Sequence, residues 1–198
     1  MNVVKAIFQW CFLLACTLVL DPIGLIVVAL GIPFARPDRS VSDGRFIANL
    51  PKIFWLFGND HDGLFGDKRG KWATMTPFGL PATHWFSMWW WAAIRNPVNN
   101  MRMVKLWQAP ITGSMITYTG DYHVRDKPGE GGFQFVVTEN KGRHWYGLYW
   151  VKQYSAKRAF VVRFGYKVEP DDRIQAALAT PTEPAGYTMK INPFKAIA

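Results

Sequence analysis

The stretch "AIFQWCFLLACTLVLDPIGLIVVALGIPF", from Ala6 to Phe34, limits what this chain can fold into more than any other. It runs for 29 positions with a single charge, Asp21, which Pro22 follows directly. An unbroken helix needs about 20 apolar residues to cross a bilayer. Ala6–Leu20 supplies fifteen and Ile23–Phe34 twelve, so neither half crosses alone. Two geometries satisfy the pattern. One is a long helix from about Val4 to Leu30, kinked at Pro22, with Asp21 held by water or a partner. The other is a hairpin turning at Asp21-Pro22-Ile23-Gly24, with two short helices entering the bilayer from one face. A helix pair buried in a soluble core would need an apolar cover that the rest of the sequence lacks. Residues 1–34 therefore read as a membrane anchor.

Charge orients that anchor. Arg36, Arg39, Arg45 and Lys52 come closely after the run, against Lys5 alone before it. The positive-inside rule places the chain beyond Phe34 in the cytoplasm. The net charge of +9 asks for an acidic partner, nucleic acid or anionic lipid. The two cysteines, Cys11 and Cys16, both lie inside the apolar run, where they read as small apolar fillers and not as a disulfide. Leu13-Leu14-Ala15-Cys16 also has the form of a lipoprotein cleavage box, but the chain beyond Cys16 stays apolar where a mature lipoprotein turns polar.

Residues 35–110 read as a connector and a Trp-rich helical region. Ile32–Asn49 holds two prolines, serines and mixed charge and reads as an exposed connector. Further on, "WFSMWWWAAI", Trp85–Ile94, is too short to span but dense in tryptophan. Trp85 and Trp89 share one helical face, whereas Trp90 and Trp91 spread around it. From Lys68 to Gly120 there is no acidic residue, while Lys68, Arg69, Lys71, Arg95, Arg102 and Lys105 are basic. Tryptophan favours the headgroup layer, where its ring and its N–H are both served. Trp85, Trp89, Trp90, Trp91, Arg95, Arg102 and Lys105 thus form a candidate lipid interface with anionic membrane lipid as partner. A core helix packed on the sheet that comes after it is the competing reading. Single-stranded nucleic acid could stack on such rings, but an anchored N-terminus makes that the weaker one.

After Pro110 the period changes to two. "SMITYTGDYHVRD", "GFQFVVTE", "RHWYGLYWVKQY" and "RAFVVRFGYKV" are β-branched and aromatic runs joined by Gly-rich turns. They predict an antiparallel meander of four or five strands over 111–168. Phe133, Phe135 and Val137 alternate with Gln134, Val136 and Thr138, so one face is more polar than the other. Residues 169–198, rich in Pro and Ala with a short helical stretch at Arg173–Ala179, read as a loosely packed arm. The class is α+β: an apolar N-terminal helix or helical hairpin, Trp-rich interfacial helices, and a C-terminal antiparallel sheet.

One cluster looks chemical. Asn59-Asp60-His61-Asp62-Gly63, with Asp67 beyond it, brings oxygen ligands around a glycine, as calcium or magnesium sites do. Asp60, Asp62 and Asp67 are the candidate metal residues, with His61 or His84 as extra ligand or base. The EF-hand register fails, since its first and twelfth ligands would be Gly58 and Arg69. The simpler reading is an Asx-rich turn capping nearby N–H groups, with no cofactor. No hydrolase triad order, phosphate-cradling glycine loop or zinc spacing occurs. His84, His123 and His144 lie apart in sequence and read as structural. Asn96, Pro97, Asn99 and Asn100 form a structural motif: Pro97 stops the preceding helix, and Asn99 or Asn100 starts the next as an N-cap.

The order of these features, "LPKIFWLFGNDHDGLFGD", then "WWWAAIRNPVNNMR", then "FVVRFGYKV", resembles a family of uncharacterised membrane-associated proteins of tailed bacteriophages. That family carries a Trp-rich stretch, an Asp-Asn-Asp-Gly-type loop, a W-x-x-x-R-N-P motif and an R-x-G-W/Y-K ending. The likeness covers about Leu50–Lys167, with Asn59 and His61 in the loop and Tyr166 at the aromatic position of the ending. It implies a phage source and no reaction. The expected function is binding at the host bacterial inner membrane, with the domain facing the cytoplasm. It would modify the envelope or exclude rival phages, through lipid and a host or phage envelope protein, as a single chain or an oligomer. A structural component of the phage particle and a metal-dependent membrane-bound hydrolase are the alternatives.

Overall fold

The structure, a computed structural model, describes residues 2–39, 44–60, 62–67, 70–168 and 185–197. Its longest element is one helix, α1 (Asn2–Gly31), which carries Pro22 inside it. The sequence left hairpin and single helix open; the single helix is what forms. Pro22 deprives the Leu18 carbonyl of its intrahelical donor, but a run of good helix formers on both sides carries the helix through. The chain divides into two units, one made of Met1–Leu14 with Lys105–Ala198, the other of Ala15–Val104.

The first unit is built on a six-stranded antiparallel sheet. Its strands are β3 (Gln108–Ala109), β4 (Met115–Gly120), β5 (Gly132–Asn140), β6 (Arg143–Ser155), β7 (Arg158–Tyr166) and β8 (Ala185–Ala196), arranged β3-β8-β7-β6-β5-β4; β1 (Arg36–Arg39) and β2 (Phe46–Asn49) belong to the other unit. From β4 to β7 this is the meander expected. The strand count exceeds the expected four or five because Ala185–Ala196, part of the expected loose arm, pairs with β7 along its length and the short Gln108–Ala109 pairs with it in turn. "AGYTMKIN" has the alternation of a strand, which a Pro/Ala-rich neighbourhood hides. The expected helix at Arg173–Ala179 lies outside the described residues.

The sheet's two faces are used unexpectedly. Gln134, Val136 and Thr138, the more polar set of β5, are buried together with Val151 and Val161. Val124 and Ile197 pack on Val151 and Val161 there. Phe133, Phe135 and Val137 point to the other, outer face, where ordinary antiparallel sheets turn polar side chains to water. The N-terminal part of α1 docks on that outer face. Trp10 sits between Phe135 and Phe164, with ring centroids at 6.3 and 5.9 Å. Gln9 pairs like a strand peptide with β6: its Nε2 donates to the His144 carbonyl and its Oε1 accepts from the Tyr146 N–H, both at 3.0 Å. Trp10 Nε1 donates to the Tyr146 carbonyl at 3.0 Å. These strand groups lie beyond the last β6–β7 pair, Gly147–Gly165, and α1 satisfies them. Gly165, at φ +76°, makes room: a Cβ there would overlap the Trp10 indole and the Tyr146 carbonyl.

The second unit contains the rest of α1, the hairpin β1 (Arg36–Arg39) and β2 (Phe46–Asn49), several 3₁₀ turns, and a short helix, α2 (Trp85–Trp89). The expected open connector is thus a β-hairpin whose Ile47 and Ala48 are buried. Val28, Ile32, Ala48, Leu50, Leu64, Ala92 and Ala93 form its core. Gly31 lets the helix approach closely, since a Cβ would come within 3.0 Å of Leu50 and Phe54.

Candidate functional site

The helix α1 is amphipathic in reverse. In the sheet unit its residues Ala6 and Leu13 are buried and Gln9 and Trp10 half-buried, while Val3, Val4, Ile7, Phe8 and Phe12 stand in the open. Phe8 is 73% exposed. Within the other unit, Gly24 and Val28 are buried and Asp21 half-buried, while Leu18, Val19, Ile23, Ile26 and Leu30 are exposed. Within each unit the docked positions recur at three- and four-residue steps, so in each they share one face. A surface helix of a water-soluble protein turns its apolar stripe inward. Here Gln9 and Asp21 turn to the protein beside Ala6, Leu13 and Val28, while the larger apolar side chains Phe8, Phe12, Leu18, Ile26 and Leu30 turn out. This helix is long and apolar enough to cross a membrane, and only 17% of its most apolar window is buried. Cleavage at Ala15-Cys16 would remove Trp10 and Leu13 from the packing they complete.

The Trp-rich segment divides between two roles. His84 caps α2, its Nδ1 accepting from the Phe86 N–H at 3.2 Å. Trp85 and Trp89 stack on one face as expected, with centroids 6.3 Å apart and planes within 3°. After Trp89 the backbone widens into a π-helical turn, Trp90–Arg95, closed by Asn96 N–H to the Trp91 carbonyl at 3.0 Å. The wider turn sends Trp90 and Ile94 outward, 37% and 42% exposed, and Trp91 inward. Trp91 is 3% exposed, packs on the equally buried Trp72 at 5.1 Å and donates its Nε1 to the Gly63 carbonyl at 3.0 Å. Its placement among the lipid-interface residues is corrected: its N–H and ring are both spent inside. Trp89 is half-buried and donates to the Leu25 carbonyl at 2.9 Å. The Arg95 guanidinium lies 5.5 and 5.6 Å from the Trp72 and Trp91 rings and is exposed. Lys105 is exposed and belongs to the sheet unit. The side chain of Arg102 lies outside the described structure, as do His61, Lys68 and Arg69.

The acidic loop and the Asn-rich motif, read separately in the sequence, are one polar clamp. Asn100, fully buried, donates its Nδ2 to the Trp55 carbonyl (2.7 Å) and to Asp60 Oδ1 (2.8 Å), and accepts from the Asp60 N–H (3.0 Å). Trp55 Nε1 donates to Asp60 Oδ2 at 2.6 Å. Asn99 donates to Asn59 Oδ1 at 2.7 Å, and the same oxygen accepts from the Asp62 N–H at 3.3 Å. Asn96 closes the preceding turn through the Trp91 carbonyl, and Pro97 comes after it as the expected stop. The N-cap expectation is corrected. The next turn, Asn99–Met103, is capped by Val98, a left-handed residue at φ +46° that makes no side-chain cap bond, because both asparagines are drawn across to the loop.

Asp60, Asp62 and Asp67 do not converge. Among the described residues no group of three or more His, Cys, Asp or Glu side chains is placed to hold a metal ion. Both Asp60 oxygens are already bonded, to Trp55 and Asn100. Beside the clamp lies a groove of about 990 Å³ bordered by Phe34, Arg36, Lys52, Ile53, Trp55 and Asp60. Arg36 and Lys52 on its rim are exposed, and so are Phe34 and Ile53, at 67% and 83%. Sequence reasoning missed Gln9, Trp10, Trp55 and Trp72. Gln9, the one amide inside the apolar run Ala6–Phe34, is the signal that could have been used, since such a group turns toward protein.

The chain is α+β, and its longest helix and its sheet both carry exposed apolar side chains. The chain belongs to a family of unknown function, DUF7338, and the match covers residues 1–198. No curated protein and no solved structure matches it.

Proposed function

We propose that the protein is held in a membrane through α1 and acts there by binding, not by catalysis. In this reading the membrane is the inner membrane of a phage-infected bacterium, and the sheet unit faces the cytoplasm. The observation that carries it is the reversed helix: Gln9 and Asp21 face protein while Phe8, Phe12, Leu18, Ile26 and Leu30 face outward. Leaving these apolar side chains in water forgoes about 25 cal/mol for each Å² that lipid would cover. Trp85, Trp90 and Ile94, with Arg95 beside them, supply the aromatic and basic groups of a headgroup-layer contact. Arg36 and Lys52 at the groove add the charge that anionic lipid complements. Binding is favoured over hydrolysis because the clamp uses Asp60 to hold the fold.

Flotation of the full chain with vesicles tests this. Recovery should require lipid, rise with the anionic fraction and fall as salt rises. A chain that stays at the bottom of the gradient with every vesicle composition would refute the reading. Binding that ignores salt would show that the basic residues do not touch headgroups.

A further inference from the structure

The outer face of the sheet carries a second apolar surface beside the docked helix. In antiparallel register, Phe133 of β5 lies opposite Trp150 of β6, Trp150 opposite Val162 of β7, and Val162 opposite Ile191 of β8. The four side chains thus form one row on one face. Phe133, Trp150 and Ile191 are 46%, 39% and 63% exposed, and Val162 is partly open. The neighbouring row, Phe135–Leu148–Phe164–Met189, is the one on which Trp10 sits. The apolar row is therefore continuous with α1, whose free side in this unit carries Phe8 and Phe12. On the other side of the row the character changes. Lys152, opposite Phe160, comes next on the same face of β6, and the β6–β7 turn brings Lys157; both are exposed.

A helix, then an aromatic row, then lysines is the order of groups met in passing from hydrocarbon through the headgroup layer to its phosphates. We propose that this face of the sheet rests in the headgroup layer of an anionic membrane. Trp150 and Phe133 then lie at the acyl boundary, and Lys152 and Lys157 lie among the phosphates. The inference depends on the membrane reading above and extends it from the helix to the sheet. The occupant is lipid and not a second copy because the row adjoins the outward apolar side of α1 and ends in cations.

The test uses the full chain with Cys11→Ala and Cys16→Ala and a polarity-sensitive fluorophore on Ile191→Cys. A second version carries it on Lys127→Cys, in the segment whose Val124 packs on the inner face. Both residues are exposed, so neither change disturbs packing. In anionic vesicles the fluorophore at 191 should shift to the blue and be quenched by lipids spin-labelled near the headgroup. That at 127 should stay water-like. Lys152→Gln with Lys157→Gln should lower partitioning into anionic vesicles about tenfold or more and leave neutral vesicles little changed. A water-like signal at 191 on a chain that still floats would overturn the sheet contact and leave the membrane reading standing. A blue shift without lipid, with crosslinking from 191 to 191, would overturn it in favour of a self-associating face. Failure to float would overturn both.

Discussion

Asn100 holds more of its unit together than any other polar side chain described. Replacing it with alanine leaves the Asp60 N–H and an Asp60 oxygen without their partner and the Trp55 carbonyl with the Gly58 N–H alone. Asn100→Ala should therefore cost about 2–4 kcal/mol, read from chemical denaturation in mild detergent. Asn99→Ala removes one bond to Asn59 and should cost about 1 kcal/mol. Asn100→Asp is the sharper variant: the shape is kept, but a carboxylate would face Asp60 where an amide donates at 2.8 Å. It should be at least as damaging as alanine at neutral pH and recover as the pH is lowered. The structural role of this motif was legible in the sequence, because Pro97 and the asparagines punctuate a helix. Its partner was not. Sequence spacing reports neighbours one to four residues away, and Asn99 reaches Asn59 across 40 positions.

At the scale of elements, α1 sets two adjacent residues against each other. Gln9→Leu makes the helix more apolar, which a plain membrane span would tolerate or favour. Here it strips His144 and Tyr146 of their bonds and should cost about 2–3 kcal/mol. Phe8→Leu, on the free side, should change stability by less than about 0.5 kcal/mol. Equal effects at the two positions would mean that α1 does not dock on the sheet. Pro22→Ala separates helix from hairpin: restoring an N–H inside a continuous helix should stabilise, whereas removing a turn proline should not. The helix itself was plain from composition. Its single passage through Asp21-Pro22 was not, since that pair is good turn chemistry and the packing that overrides it, with Gly24 and Val28 buried, involves residues far along the chain. In β5 the alternation was legible too. Which face turned inward was not, because Trp10 of α1 packs on Phe135 of the opposite face and Gln134 is buried by bonds to the Asp121 and Tyr122 carbonyls.

For the whole molecule, packed tyrosines make the fold lose stability at high pH. Burial, reinforced by Tyr187, pushes the Tyr166 hydroxyl from its ordinary 10.0 up to about 12. Burial also raises Tyr149, against the opposing pull of Arg163. A folded value above the unfolded one means that this contribution is whole below pH 10.0 and is lost as pH climbs toward the folded value. The loss for Tyr166 is of order 2 kcal/mol. Alkaline unfolding should accompany tyrosinate absorbance, and Tyr166→Phe should shift its onset upward. The class and the order of parts were readable from sequence because helix and strand periods differ. The sixth strand was not, since Ala185–Ala196 comes after a Pro/Ala-rich stretch and shows its strand character only beside β7.

The central claim is that the outward apolar sides of this protein are made for lipid. Sedimentation of the full chain, in plain buffer and with anionic vesicles, addresses it without any substitution. The account predicts that the chain aggregates or pellets without detergent and travels with vesicles when they are supplied. A dispersed monomer in plain buffer that ignores vesicles would contradict it.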